Sequence, residues 1–247
     1  MYFRQQMVGN WLERTELLLG SEKLERLRHK HVLVVGLGGV GAYAAEMVAR
    51  AGIGRMTIVD GDKVNLSNIN RQLLATCSQL GKPKAEVMAA RLIDINPDIE
   101  LTVINEFVKD ERMEQLLDNE YDYVVDAIDT ISPKVFLILH CLNRNMKIVS
   151  SMGAGGKTDP SKILVADISK TYNCKLAKSI RKRLHRKGID KGVTVVFSSE
   201  LTDKSAVVEI DDEENKKSTV GTISYMPALF GIHCAANVIE DLLKVDD

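Results

Sequence analysis

Gly36, Gly38, Gly39 and Gly41, in the run Gly36-Leu37-Gly38-Gly39-Val40-Gly41, are the first residues whose types and spacing suggest chemistry. They follow an apolar, β-branched run and open a small-residue helical pattern. A Cβ there would block the tight turn and keep backbone amides from approaching a phosphate at the helix N-terminus. Asp60 ends the next strand pattern, where a carboxylate accepts hydrogen bonds from ribose hydroxyls. This much fits a nicotinamide dinucleotide, another adenosine nucleotide, or glycines that serve strand–helix packing alone.

The following segment narrows the choice. Asp60-Gly61-Asp62 leads through Ser67, Asn68, Arg71 and Gln72 to Gly81-Lys82-Pro83-Lys84. Once a glycine loop holds a pyrophosphate, a nicotinamide enzyme has little use for Arg71 and Lys84. A site that stabilises charge on a triphosphate during attack at phosphorus needs such cations. Asp126-Ala127-Ile128-Asp129 ends another strand pattern at the carboxyl edge, where Asp129 is placed to hold a magnesium ion that bridges phosphate oxygens.

These side chains need a frame, and the first two-thirds of the chain supplies one. Extended runs at 31–35, 56–60, 99–104, 123–126 and 148–149 alternate with helical patterns at 42–50, 84–93, 111–117 and 134–142. Such alternation predicts right-handed βαβ units and a Rossmann-like, doubly wound, mostly parallel α/β sheet covered on both faces. A strand at 163–168, a helix at 175–187 and a strand at 193–197 extend the same sheet, with no Pro/Ser-rich linker before them. Residues 1–247 are therefore expected to form one domain, with a nucleotide-binding core at 10–155 and an extension at 156–247. The charged run Asp211 to Ser218 reads as a mobile loop.

The glycine loop, the Asp60 to Gln72 segment, Lys84 and Asp126-Ala-Ile-Asp129 together resemble the adenylating domain of ubiquitin-activating enzymes and of the thiamine and molybdopterin sulfur-carrier adenylating enzymes. The resemblance implies ATP and Mg2+ as cofactors. It assigns Asp60 to the ribose, Asn68 and Arg71 to the phosphates, Lys84 to the reaction centre and Asp129 to the magnesium. It also implies that a carboxylate attacks the ATP α-phosphorus to give an acyl-adenylate. Arg14, between Glu13 and Glu16, resembles the arginine that this family inserts into a partner subunit's site, which implies a homodimer; the alternative is a solvated arginine. Arg4 is a weaker candidate for the same role.

The chain departs from the sulfur-carrier branch. It has no C-x-x-C pair, and its five histidines are scattered, so a structural zinc site is not expected. Residues 171–191 instead gather Lys175, Lys178, Arg181, Lys182, Arg183, Arg186, Lys187 and Lys191 against one acid, Asp190. On a helix, Leu176, Ile180 and Leu184 make one apolar stripe and leave the bases on the exposed side. Such a face neutralises backbone phosphates in RNA, although charge runs also occur as plain solvated surface.

Gly153-Ala154-Gly155-Gly156, Asp159-Pro160, Asp167 to Thr171, Leu176-Ala177 and Val196 to Glu200 are similar to the tRNA threonylcarbamoyladenosine dehydratase branch. That resemblance implies ATP-dependent activation of a threonyl carboxylate on a modified adenosine in tRNA, followed by ring closure through its own carbamoyl group. The alternative is an adenylating enzyme for a ubiquitin-like sulfur carrier, with cysteine desulfurase or sulfur-acceptor partners. Cys174 opens the basic helix beside Lys175, a setting that favours a thiolate, and relatives place a reactive cysteine in this region. Cys234 reads as core or as a sulfur-relay contact.

Composition sets the outer bounds. The 33 Lys+Arg nearly balance 34 Asp+Glu, for a net charge of −1, so a uniformly basic nucleic-acid binder is not expected and local clusters must carry any such role. The four cysteines are unpaired in spacing, which points to the cytoplasm. No transmembrane span or signal segment is expected, because His233, Asn237, Glu240 and Asp241 interrupt the apolar stretch 226–243.

Overall fold

The computed structural model describes residues 10–108, 110–202, 204–209 and 218–244. In chain order these are α1 Glu13–Leu19, α2 Ser21–Arg28, β1 His31–Val35, α3 Gly41–Arg50, β2 Arg55–Val59, α4 Lys84–Ile95, β3 Glu100–Ile104, α5 Asp110–Leu116 and β4 Tyr123–Asp126. The chain continues as α6 Ile131–Asn143, β5 Ile148–Ser151, β6 Ile163–Asp167, α7 Lys175–His185, β7 Thr194–Ser198, β8 Val207–Glu209, β9 Ser218–Val220 and α8 Tyr225–Leu243.

Seven strands form one sheet in the order β3-β2-β1-β4-β5-β7-β6. Every neighbouring pair is parallel except β6 with β7. Alternation within β1 shows why the runs are continuously apolar. Val32 and Val34 join a core formed with α3, α4 and α8, whereas Leu33 and Val35 join a second core formed with α5, α6 and α7. Both faces are covered over β2, β1, β4, β5 and β7, so these inner strands bury side chains in both directions, whereas the edge strands β3 and β6 keep several exposed. Strand order reverses at β1, which lies between β2 and β4, and open α/β sheets bind ligands at such a reversal.

The structure adds to the sequence reading. Helices α1 and α2, and the small β8–β9 hairpin, are additions that the sequence pattern does not announce. Helix α6 starts at Ile131 rather than Lys134, and the basic helix ends at His185 rather than Lys187. Arg4 and the 211–217 part of the charged run lie outside the described residues. Among the described residues, no helix is long and apolar enough to cross a membrane.

Candidate nucleotide and RNA site

The glycine loop owes its shape to contacts that only hydrogen fits. Gly36 has φ +91°, and a Cβ on it would lie 2.8 Å from the Ala127 carbonyl oxygen. A Cβ on Gly41 would fall 1.7 Å from the Gly36 carbonyl oxygen. The end of β1 is thereby pressed against the loop that leaves β4, and α3 starts directly beneath.

Asp60 closes one side of this loop. Its Oδ2 accepts from the Leu37 amide at 2.6 Å and its Oδ1 from the Asp62 amide at 2.8 Å, which leaves lone pairs for ribose hydroxyls. Burial pushes the Asp60 carboxyl up, and nearby Lys84 and the two amide donors offset this only in part.

The 62–84 segment returns on itself. The Val64 amide donates to Lys82 O at 2.9 Å, and the Lys84 amide donates to Asp62 O at 2.9 Å. Pro83, with φ −58° and ψ 131°, is the residue that caps the start of α4, so Lys84 is the helix's first residue. Lys84 Nζ donates to Asp62 Oδ2 at 2.8 Å; its side chain is 5% exposed and that of Asp62 is 51% exposed.

Between them, Asn68 is buried and its Oδ1 accepts from the Asn65 amide at 3.1 Å, so it fixes the turn from within. Arg71 Nη1 is steered by the Ser67 carbonyl and Asn70 Oδ1, both at 2.8 Å. Ser67 is exposed and contributes through its carbonyl. The Gln72 side chain faces Gly38, 3.8 Å from a Cβ built there, and its buried Oε1 has no hydrogen-bond partner. A buried, unpaired amide oxygen beside a glycine cradle fits a site shaped for a polar ligand such as ATP.

Asp129 stands exposed at the rim after β4. Among the described residues no three His, Cys, Asp or Glu side chains are grouped to hold a metal. The donor chemistry fits magnesium, which is commonly held by one or two carboxylates with substrate phosphates completing its shell.

Behind Asp129 lies a feature that sequence reasoning missed. Lys134 Nζ is 2.9 Å from Asp126 Oδ2, and both side chains are 0% exposed. Removing one member of such a buried pair typically costs about 3–5 kcal/mol. Lys134 follows Pro133 directly before the apolar run 135–139, and that position is its one visible signal. Lys157 was missed as well: it is buried and donates to the carbonyls of Asn173, at 3.2 Å, and Glu200.

The structure does not bring Arg14 to this chain's own loop. Leu12, just ahead of α1, touches Gly52 beyond the far end of α3, and a ten-residue helix spans about 15 Å. Arg14 itself is exposed on α1.

Helix α7 buries Ala177, Ile180 and Leu184. Leu176, expected in that stripe, is only half-buried, because the apolar face is centred one residue further round. Lys175, Lys178, Lys182 and Arg186 are exposed at spacings of three and four, which line one face. Arg181 does not join their fan: its Nη1 donates to the Thr171 carbonyl at 2.7 Å and to Thr171 Oγ1. The helix begins at the carboxyl edge, since a Cβ on Gly153, just beyond β5, would meet Cys174 Sγ at 3.9 Å and Leu176 Cβ at 3.8 Å.

Cys174 is buried beside Lys157, whose ammonium burial pulls down while Cys174 and Glu200 push it back. Cys141 and Cys234 are fully buried core residues, and burial pushes both thiols up to about 12.

A glycine cradle, a carboxylate at the end of β2 and a pair of cations at the reversal of a doubly wound sheet define a nucleotide-binding α/β protein of the adenylating kind. A model of the ThiF family matches residues 12–247, and the chain belongs to that family. It is 43% identical over 238 residues to the tRNA threonylcarbamoyladenosine dehydratase of Bacillus subtilis (strain 168), covering 94% of each chain. It superposes on the crystal structure of E. coli tRNA N6-threonylcarbamoyladenosine dehydratase, TcdA, in complex with ATP, with a TM-score of 0.86 and 35% identity over 98% of this chain and 95% of that one. Similarity to the sulfur carrier protein ThiS adenylyltransferase of Escherichia coli (strain K12), 34% identical over 135 residues, covers 54% of this chain and 53% of the relative.

Proposed function

We propose that this protein is an ATP-dependent tRNA threonylcarbamoyladenosine dehydratase acting through an acyl-adenylate. The extent of likeness carries the reading. The dehydratase relative matches through the second half, with its basic helix, whereas the sulfur-carrier enzyme matches over about half of the chain.

The glycine-loop amides and Arg71 receive the polyphosphate, Asp60 the ribose, and Gln72 Oε1 a polar group of the nucleotide. A threonyl carboxylate oxygen attacks the α-phosphorus, and the bond to pyrophosphate breaks. Lys84, released from Asp62, neutralises the charge that develops in this step. The carbamoyl group of the same side chain then attacks the activated carbonyl, AMP leaves, and the net change in the nucleoside is loss of water. Tethering of this nucleophile supplies a large effective molarity, so no protein nucleophile is needed. Magnesium, held by Asp129, would supply charge neutralisation on the phosphates.

Lys175, Lys178, Lys182 and Arg186 are proposed to contact the tRNA backbone from α7, with Arg181 bracing the helix against Thr171. A homodimer is proposed in which Arg14 enters the partner's site. Leu17 and Leu18, 81% and 83% exposed on the same helix, give that contact an apolar cover. The chain is read as one domain throughout, with residues 156–247 completing the sheet of the 10–155 core. A tRNA substrate and free cysteines suit the cytoplasm. A sulfur-accepting partner would need Cys174, which is buried.

Incubation with ATP, magnesium and tRNA bearing threonylcarbamoyladenosine tests the reading. Mass spectrometry of the nucleosides is expected to show loss of water with release of AMP. An unchanged nucleoside, with AMP formed only when a carrier protein ending in Gly-Gly is added, would replace it with the sulfur-carrier function.

A further inference from the structure

The buried Asp126–Lys134 pair does more than bridge β4 to α6. Asp126 Oδ1 accepts from the Ile128 amide at 3.1 Å, and Lys134 Nζ donates to the Ile128 carbonyl at 2.8 Å. Ser150 Oγ, from β5, donates to Asp126 Oδ2 at 2.6 Å. The two charges therefore hold opposite sides of one residue. Because the Ile128 carbonyl belongs to the peptide that carries the Asp129 amide, two successive peptide planes leading to Asp129 are fixed. Ala127, the residue before, is tied by its own amide to Val35 O at 2.9 Å and pressed by Gly36.

A salt bridge at zero exposure is a poor choice for stability alone, since apolar side chains of similar volume usually do as well or better. Its geometry here is explained by what it grips.

We infer that Asp126 and Lys134, braced by Ser150, are positioning residues that hold the 127–129 arm so that the Asp129 carboxylate meets the magnesium of a bound nucleotide. This rests on the role proposed for Asp129. The pair acts on the metal only through that arm, as outer-sphere partners do in metal sites where their loss costs about 10–100-fold in affinity. Free backbone rotation at Ile128 would let Asp129 sample directions away from the phosphates, and the metal-dependent part of nucleotide binding would fall. Contacts made by the glycine loop and Asp60 would remain.

The test is calorimetric titration of ATP into the full-length protein with and without Mg2+, on wild type, Asp129→Asn, Lys134→Met and Ser150→Ala. In wild type, magnesium is expected to tighten ATP binding. Lys134→Met is expected to reduce that tightening about tenfold while ATP affinity without magnesium stays unchanged. Hydrogen exchange should rise more at the Ile128 amide than across the rest of β4. Asp129→Asn separates the two readings. If it keeps the full magnesium effect, the role of Asp129 fails; if it loses the effect and folded Lys134→Met keeps it, the positioning inference fails. Equal loss of affinity with and without magnesium in Lys134→Met would mean a merely structural pair and would also overturn it. Should Lys134→Met not fold, Ser150→Ala decides: a smaller reduction confined to the magnesium-dependent part supports the inference, and no change refutes it.

Discussion

Lys84 Nζ and Asp62 Oδ2 lie 2.8 Å apart, with the lysine buried and the aspartate half open to solvent. A buried cation is thus kept paired on a half-exposed carboxylate, and in the proposed reaction phosphate oxygens would compete for it as a second partner.

Lys84→Met, which keeps the apolar stem and removes the charge, is expected to lower turnover at least about 10²-fold while the protein stays folded. Single-turnover AMP release, with circular dichroism as the control, checks this. Activity within twofold of wild type would remove Lys84 from the reaction centre.

Charge reversal at Lys178 and Lys182 should weaken tRNA binding and flatten its dependence on salt, by roughly 0.7–0.9 in the log–log slope for each phosphate that is no longer neutralised. Filter binding across a salt series reads the slope. Arg181→Glu should act differently and lower the melting temperature, because that side chain holds Thr171.

Arg14→Ala alone and Lys84→Ala alone should each be inactive. A mixture that exchanges subunits should regain activity, since one kind of site then combines an intact Arg14 with an intact Lys84. Failure of the mixture to recover, with exchange shown by mass, would remove the arginine from the partner's site.

Gly36→Ala should destabilise the fold by about 1–3 kcal/mol, because its φ of +91° and its approach to Ala127 both exclude a Cβ. Denaturant melts measure the loss.

Glu46, buried on α3, is paired with Arg50 at 2.8 Å and with Arg91. Burial alone would push its carboxyl up, but the hydrogen bonds from Arg91 and Arg50 hold it below its ordinary 4.5. The folded state therefore binds this proton more weakly than the unfolded chain does. Its stabilisation is present above about pH 4.5 and lost as pH falls through the lowered value. Glu46→Gln should melt earlier than wild type at pH 7, with the two curves converging on acidification. Parallel melting curves at every pH would contradict this.

Most of the sheet is legible in the sequence because burial on both faces makes its strands continuously apolar, and β4 at 123–126 matches the reading residue for residue. The positions of the glycine loop, Asp60 and Lys84 are legible because each falls at the end of a strand pattern or the start of a helical one. What stays hidden depends on partners distant in sequence. Lys134 reads as an ordinary helix-start lysine until Asp126, itself bonded by Ser150, folds against it. Lys157 likewise has no local signal, since it serves the carbonyls of Asn173 and Glu200. Arg181 falls among the exposed bases by helical spacing, which cannot show that its guanidinium turns back to Thr171. The β8–β9 hairpin is too short to carry a period.

Because the edge strand β6 runs against β7, the chain beyond β5 returns repeatedly to the carboxyl rim, where Lys157, Asn173 and Glu200 meet. The opposite rim holds tight turns secured by Lys30–Asp122 and Arg144–Asp118. For an engineer, the two rims are unequal ground. A fluorophore or a fused module grafted near Asn119 or Asn145 would sit a full strand length from the chemistry, whereas an insertion of the same size on the other rim would obstruct it.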